Sequence, residues 1–89
     1  MNADVYFDRF DSGDLNYGPL ELIGDAESLM DYLSNSTEGK RIGEEILHRK
    51  SELLRRGSHA ARDVILQRLE RVERKLEKIR AGKNGEERW

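Results

Sequence analysis

Residues 59–81 read HAARDVILQRLERVERKLEKIRA, and this stretch decides the fold. Ile65, Leu69, Val72, Leu76 and Ile79 recur in alternating steps of four and three. That is the a/d spacing of a coiled-coil seam, about two heptads long. Projected at about 100° per residue, Arg68, Arg71, Lys75 and Lys78 fall on one side of the seam and Glu70, Glu73 and Glu77 on the other. An apolar strip between a basic and an acidic flank is suited to setting the direction of a partner helix.

Working outward, residues 37–82 contain no proline and are dominated by Ala, Glu, Lys, Leu and Arg, the strong helix formers. Arg56-Gly57-Ser58 is the one interruption: glycine can close a helix in the left-handed region and serine can cap the next. At the opening end, Asn35 and Glu38 have capping-box spacing. The pattern predicts helices over about 37–56 and 59–81, joined as an antiparallel hairpin.

The first of these helices carries two apolar lines, Ile42, Ile46 and Leu53, and beside them Gly43, Leu47 and Leu54. Such a stripe is wider than a two-helix seam requires. Gly39 and Gly43 would face Val72 and Leu76 and allow close approach. The second line needs a further covering surface, supplied by the N-terminal segment or by another chain.

Residues 1–35 hold a short helix over about 26–33, capped by Asp25, with Ala26, Leu29, Met30 and Leu33 on one face. Ahead of it, Val5-Tyr6-Phe7, Phe10 and Tyr17 concentrate aromatic residues between turn signals. Two forms are open there: a small β-hairpin, or an irregular segment pinned by its rings. Residues 83–89 read as a polar tail, with Trp89 exposed or used as an anchor. The expectation is a mainly α protein: an acidic N-terminal segment (1–35), a coiled-coil-like hairpin (36–82) and a flexible tail.

The net charge of −2 hides a division. Residues 1–38 hold nine acids against one base, a net of −8, and residues 39–89 fifteen bases against nine acids, a net of +6. An acidic arm folded over a basic body, or two faces for different partners, would produce this. Cysteine is absent, which excludes disulfides, thiolate metal sites and cysteine nucleophiles. No apolar run reaches the length of a membrane span or signal peptide, which points to the cytoplasm and away from membranes.

Catalytic and cofactor motifs fail residue by residue. Gly39-Lys40 has Ser34 and Arg41 where a phosphate loop needs glycine and Ser/Thr. An EF-hand register begun at Asp8 puts Phe10 and Pro19 at ligand positions. His48 and His59 are eleven apart, Glu44 and His48 read as a solvent-facing pair, and Ser58 is explained as a cap. No catalytic residue, metal or cofactor is therefore expected.

What remains is binding. Leu47, Leu54 and Leu66 would be buried in a homodimeric four-helix bundle or against a larger protein, with Arg68, Arg71, Lys75 and Lys78 setting orientation. Adaptors, secretion-type chaperones, inhibitors and phage regulators share this build. The alternative is a nucleic-acid-binding regulator using Arg55, Arg56, His59 and Arg62 at the hairpin tip. Against it, no aromatic is interleaved among those bases, and Glu45 and Glu52 stand four residues before Arg49 and Arg56.

Overall fold

A computed structural model describes residues 3–34 and 36–86, with side chains through residue 81. The protein is mainly α-helical, and no strand occurs among the described residues. Its helices are α1 (Asp4–Asp11), α2 (Pro19–Leu33), α3 (Thr37–His48), α4 (Lys50–Arg56) and α5 (Arg62–Glu86), with a 3-10 turn at His59–Ala61 before α5.

The aromatic segment is a helix, not a β-hairpin. Phe7 and Phe10 are three residues apart, which puts both rings on one face of a helix, whereas a strand would send them to opposite faces. Both are buried in α1. Gly13 ends the helix in the left-handed region at φ +84°. The amides of Gly13 and Asp14 return to the carbonyls of Phe10 and Arg9 at 3.1 and 3.3 Å, satisfying the last turn.

The second helix begins at Pro19, seven residues before the expected start. Proline suits the first helical position, and the Gly18 amide donates to Glu21 Oε1 at 2.7 Å. Asp25 is therefore not a cap; its carboxylate accepts from the Tyr17 hydroxyl at 2.5 Å. At the start of α3 the cap is Ser36, which accepts from the Gly39 amide at 3.0 Å. Asn35, expected to cap, lies outside the described residues.

The expected single helix 37–56 is interrupted at Arg49 (φ −94°, ψ 13°). The Arg49 guanidinium donates to the Glu45 carbonyl at 3.1 Å, while the Arg49 amide turns to Ile46 O at 3.0 Å. A side chain has taken the carbonyl that the backbone ladder would use, which tightens one turn. Gly57 is extended (φ −75°, ψ 154°) and not left-handed. Its reason is space, since a Cβ there would run into Ile65 Cδ1. Ser58 caps as expected, accepting from the Ala61 amide at 3.2 Å. Helix α5 continues to Glu86 through part of the expected tail, while Trp89 lies outside the described residues.

Pairs between α3–α4 and α5 rise in number on one side as they fall on the other. Glu44 meets Arg80, Gly43 lies near Leu76, and Gly57 near Ile65. The five seam residues of α5 are buried, none above 9% exposure. Across them lies α2, contributing Leu22, Ile23, Ala26, Leu29 and Met30 to a core shared with Ile42, Ile46 and Leu53. A Cβ on Gly43 would stand 2.8 Å from Met30 Cε and 3.3 Å from Leu76 Cδ1, so this glycine lets two helices close on α3 at once. Gly43 was expected opposite Val72 and meets Leu76 and Met30 instead, while the nearest neighbours of Gly39 are Ser34 O, Ser36 Oγ and Leu33.

Gly57→Ala should lower stability by about 1–3 kcal/mol, because its methyl overpacks a buried isoleucine. Gly24→Ala, within α2 and with nothing within 4 Å of the added methyl, should raise it by up to about 1 kcal/mol. Urea midpoints of the two variants would check both signs.

Candidate interaction surface

The leucine line predicted to await a partner is largely occupied by the chain's own core. Leu47 and Leu54 are half-buried and packed against it, with Leu33, Leu20 and Tyr6 of the N-terminal third around the same cluster. The reason is that α1 and α2 form with apolar faces of their own, so the covering surface is internal. Leu66 is half-buried and sits outside this cluster, and Val64 beside it is 39% exposed.

The basic flank of α5 does orient a helix, and that helix is α2. Arg71 donates through Nε and Nη2 to the two carboxylate oxygens of Glu27, at 2.7 and 2.9 Å. Lys75 Nζ meets Asp31 Oδ1 at 2.8 Å. Two cations four residues apart thus match two carboxylates four residues apart, one helical turn on each side. Glu27 is only 7% exposed, and the bond from its carboxylate raises the pKa of the Arg71 guanidinium above its ordinary value.

Arg68 and Lys78, the other two predicted orienting residues, form no ion pair among the described residues. Nor does Arg74, a residue that the seam projection leaves aside because it points straight outward. Lys78 and Lys75 border a hollow with Met30, Asp31, Ser34 and Ile79. Arg68, Arg71 and Arg74 line an open groove of about 380 Å³ with Val64, Gln67 and Glu70. Arg74 and Lys78 are exposed and Arg68 is half-buried, and none of the three has an ion-pair partner among the described residues.

At the tip, the expected cluster is partly consumed. Arg55 is bonded to Glu52. Arg56 donates to the Phe10 carbonyl and lies 3.8 Å from the centre of the Phe10 ring. His59 and Arg62 remain exposed.

The remaining ion pairs fasten α1. Arg41 meets Asp4 at 3.2 Å and also holds Glu38. Arg49 grips Asp11 through Nε and Nη2 at 3.0 and 2.8 Å, bonds Glu45, and lies 4.5 Å from the Phe7 ring centre. Its bond to Asp11 holds that carboxyl below the usual carboxylate range, and the same bond pushes the Arg49 guanidinium upward. Burial, and then Asp25 beside it, raise the pKa of the Tyr17 phenol well above the ordinary tyrosine value. The acidic arm thus lies over the basic body through Asp4, Asp11, Glu27 and Asp31. The signal was present in the carboxylate spacing, but nothing local assigns a partner 37 to 44 residues away.

Among the described residues, no cluster of three histidines or carboxylates is placed to hold a metal ion. No described helix is long and apolar enough to cross a membrane. Comparison with protein families, curated proteins and solved structures finds no match.

Arg71→Ala should lower the melting temperature clearly, because it strands the buried Glu27 carboxylate. Arg74→Ala, with no partner to strand, should stay within about 0.5 kcal/mol. Thermal melts of the two would separate them. Asp11, with its folded pKa depressed, stabilises fully above the unfolded value of about 3.9 and loses that contribution as pH falls through the folded value. Acid titration followed by circular dichroism should therefore show wild type losing stability below about pH 4, with Asp11→Asn flatter in that window.

Proposed function

We propose that the protein is a small, non-enzymatic interaction module built on an antiparallel helical hairpin, acting in the cytoplasm as an adaptor, chaperone or inhibitor by helix-mediated binding to another protein. The observation that carries this reading is the outward face of α5. Arg74 and Lys78 are exposed there and Arg68 is half-buried at its edge, none of them in an ion pair among the described residues, beside Arg71 and Lys75, which already dock an acidic helix. Arg71 and Lys75 hold carboxylates at one-turn spacing on one side, and Arg74 and Lys78 offer the same four-residue spacing to a partner on the other.

Internal burial of Leu47 and Leu54 moves the expected partner contact from the leucine line to the charged face, with Val64 and Leu66 as its apolar margin. It also favours a different protein over a homodimeric bundle, because the shared apolar line is already partly covered. The nucleic-acid alternative has less to act with, since the exposed Arg55 is paired with Glu52 and Arg56 is turned to the Phe10 carbonyl, which leaves His59 and Arg62 of that cluster exposed without a printed partner.

The charge reversals Arg68→Glu, Arg74→Glu and Lys78→Glu, combined in one chain, should leave the melting temperature within a few degrees of wild type. They should also abolish capture of the partner from native lysate, with tagged wild type as the reference. Capture that persists in the triple variant sinks the reading. Capture that disappears on nuclease treatment of the lysate replaces it with the nucleic-acid alternative.

A further inference from the structure

Two rows of side chains at four-residue steps run along α5: Gln67, Arg71 and Lys75 form one, and Leu66, Glu70, Arg74 and Lys78 the other. The first row is in use. Arg71 and Lys75 hold Glu27 and Asp31 of α2, and both pairs are 44 residues apart in sequence, so α2 runs along this row in the direction of α5. The helix seated there answers the row sign for sign, with carboxylates at the same four-residue step.

The second row crosses the outer side of the helix. At about 100° per residue, Arg74 projects opposite the middle of the buried seam, with Glu70 and Lys78 about 40° to either side. All three are exposed, Leu66 is half-buried, and none of the three charges has an ion-pair partner among the described residues. Between the rows lies the groove of about 380 Å³, bordered by Gln67 and Arg71 from one row and Glu70 and Arg74 from the other, with the partly exposed Val64 at its end. A row of four-residue steps beside a groove is the contact unit of helix packing, in which the row of one helix enters the groove of the next.

We propose that this groove receives a helix of a partner protein and that Glu70 fixes the order of charges on it. From Leu66 to Lys78 the row reads apolar, acid, base, base, so the complementary row of the guest reads apolar, base, acid, acid at four-residue steps. A helix that is acidic throughout satisfies Arg74 and Lys78 but meets Glu70 with like charge. A helix with the base and the first acid exchanged meets like charge at both Glu70 and Arg74. Glu70 thus determines specificity by disfavouring wrong guests, while Arg74 and Lys78 supply the attraction. The inference deepens the assignment of this face to protein binding and rests on it.

The test is a selection of displayed helical peptides on the full-length chain. The peptides share an Ala/Gln helix in which four positions at four-residue steps are each Leu, Lys or Glu. Wild type should enrich Leu-Lys-Glu-Glu, or the same order reversed for an antiparallel guest, over Leu-Glu-Lys-Glu by about fivefold or more. The two peptides have one composition, so net charge does not separate them. Exchanging the signs on the protein, in Glu70→Lys/Arg74→Glu, should carry the preference to Leu-Glu-Lys-Glu. If circular dichroism shows that this variant loses helicity, Glu70→Gln decides, and it should shift enrichment toward Leu-Glu-Glu-Glu. Equal enrichment of the two orders overturns the proposal, as does a preference that the variants retain. Wild type enriching Leu-Glu-Glu-Glu above Leu-Lys-Glu-Glu overturns it too, while leaving the face to an acidic partner. Enrichment of no peptide also overturns it, and capture by the Arg68→Glu/Arg74→Glu/Lys78→Glu chain then decides the broader reading separately. A labelled DNA duplex bound more tightly than any peptide, and released by Arg74→Glu, replaces the helix with a phosphate backbone.

Discussion

Everything in the molecule depends on α2 lying across α3 and α5. A two-helix hairpin of this length has one apolar seam and cannot bury the second line of α3 and α4 by itself. Leu22, Ile23, Ala26, Leu29 and Met30 supply the missing layer, and Gly43 removes the side chain that would hold Met30 and Leu76 apart. Burial of residues this size is worth roughly 1.5–3 kcal/mol each, against about 0–1 for an exposed ion pair. Apolar packing therefore holds α2 in place. The Arg71–Glu27 and Lys75–Asp31 pairs act on top of it by favouring this register, since a one-turn slip would leave one pair where there are now two.

The same division of labour explains the charge split along the chain. The acids of the first third are not a solvated tail; Asp4, Asp11, Glu27 and Asp31 each meet a base of the second half. Arg49 bears the most of this. It bonds Asp11 and Glu45, covers Phe7, and takes the Glu45 carbonyl from the helix ladder, which breaks the helix at that residue. The local distortion in α3–α4 thus falls at the residue that also makes the tertiary contact with α1. Among the charges that this pairing leaves over in the described residues are Arg68, Arg74 and Lys78 of α5.

How much was legible can be followed through particular residues. The α5 seam was readable because five apolar residues at steps of three and four admit one burial solution, and all five are buried. The basic flank was also readable as an orienting surface. Its partner was taken for another molecule, because a spacing match between Arg71/Lys75 and Glu27/Asp31 looks identical within one chain or between two. The α1 segment was misread since eight residues give too few periods to separate helix from strand, and aromatics favour strands on average. The three-residue step from Phe7 to Phe10 was the available clue. Gly57 was correctly marked as a boundary for the wrong reason: its place depends on Ile65 Cδ1, a neighbour that no local pattern names.

By itself, then, the sequence determined the helical class, the seam of α5, the Ser58 cap, the break at Gly57 and the opposition of an acidic to a basic half. Each follows from local propensity, periodicity or composition, which act over a few residues. Only the tertiary structure decided that the acidic third folds back as two helices, that Leu47 and Leu54 are half-covered from within, that Arg49 breaks its helix, and which cations stay free. Those outcomes rest on contacts between residues 37 or more apart. There, the free energy comes from packing and pairing between elements, and many pairings satisfy the same local pattern until the chain has closed on one of them.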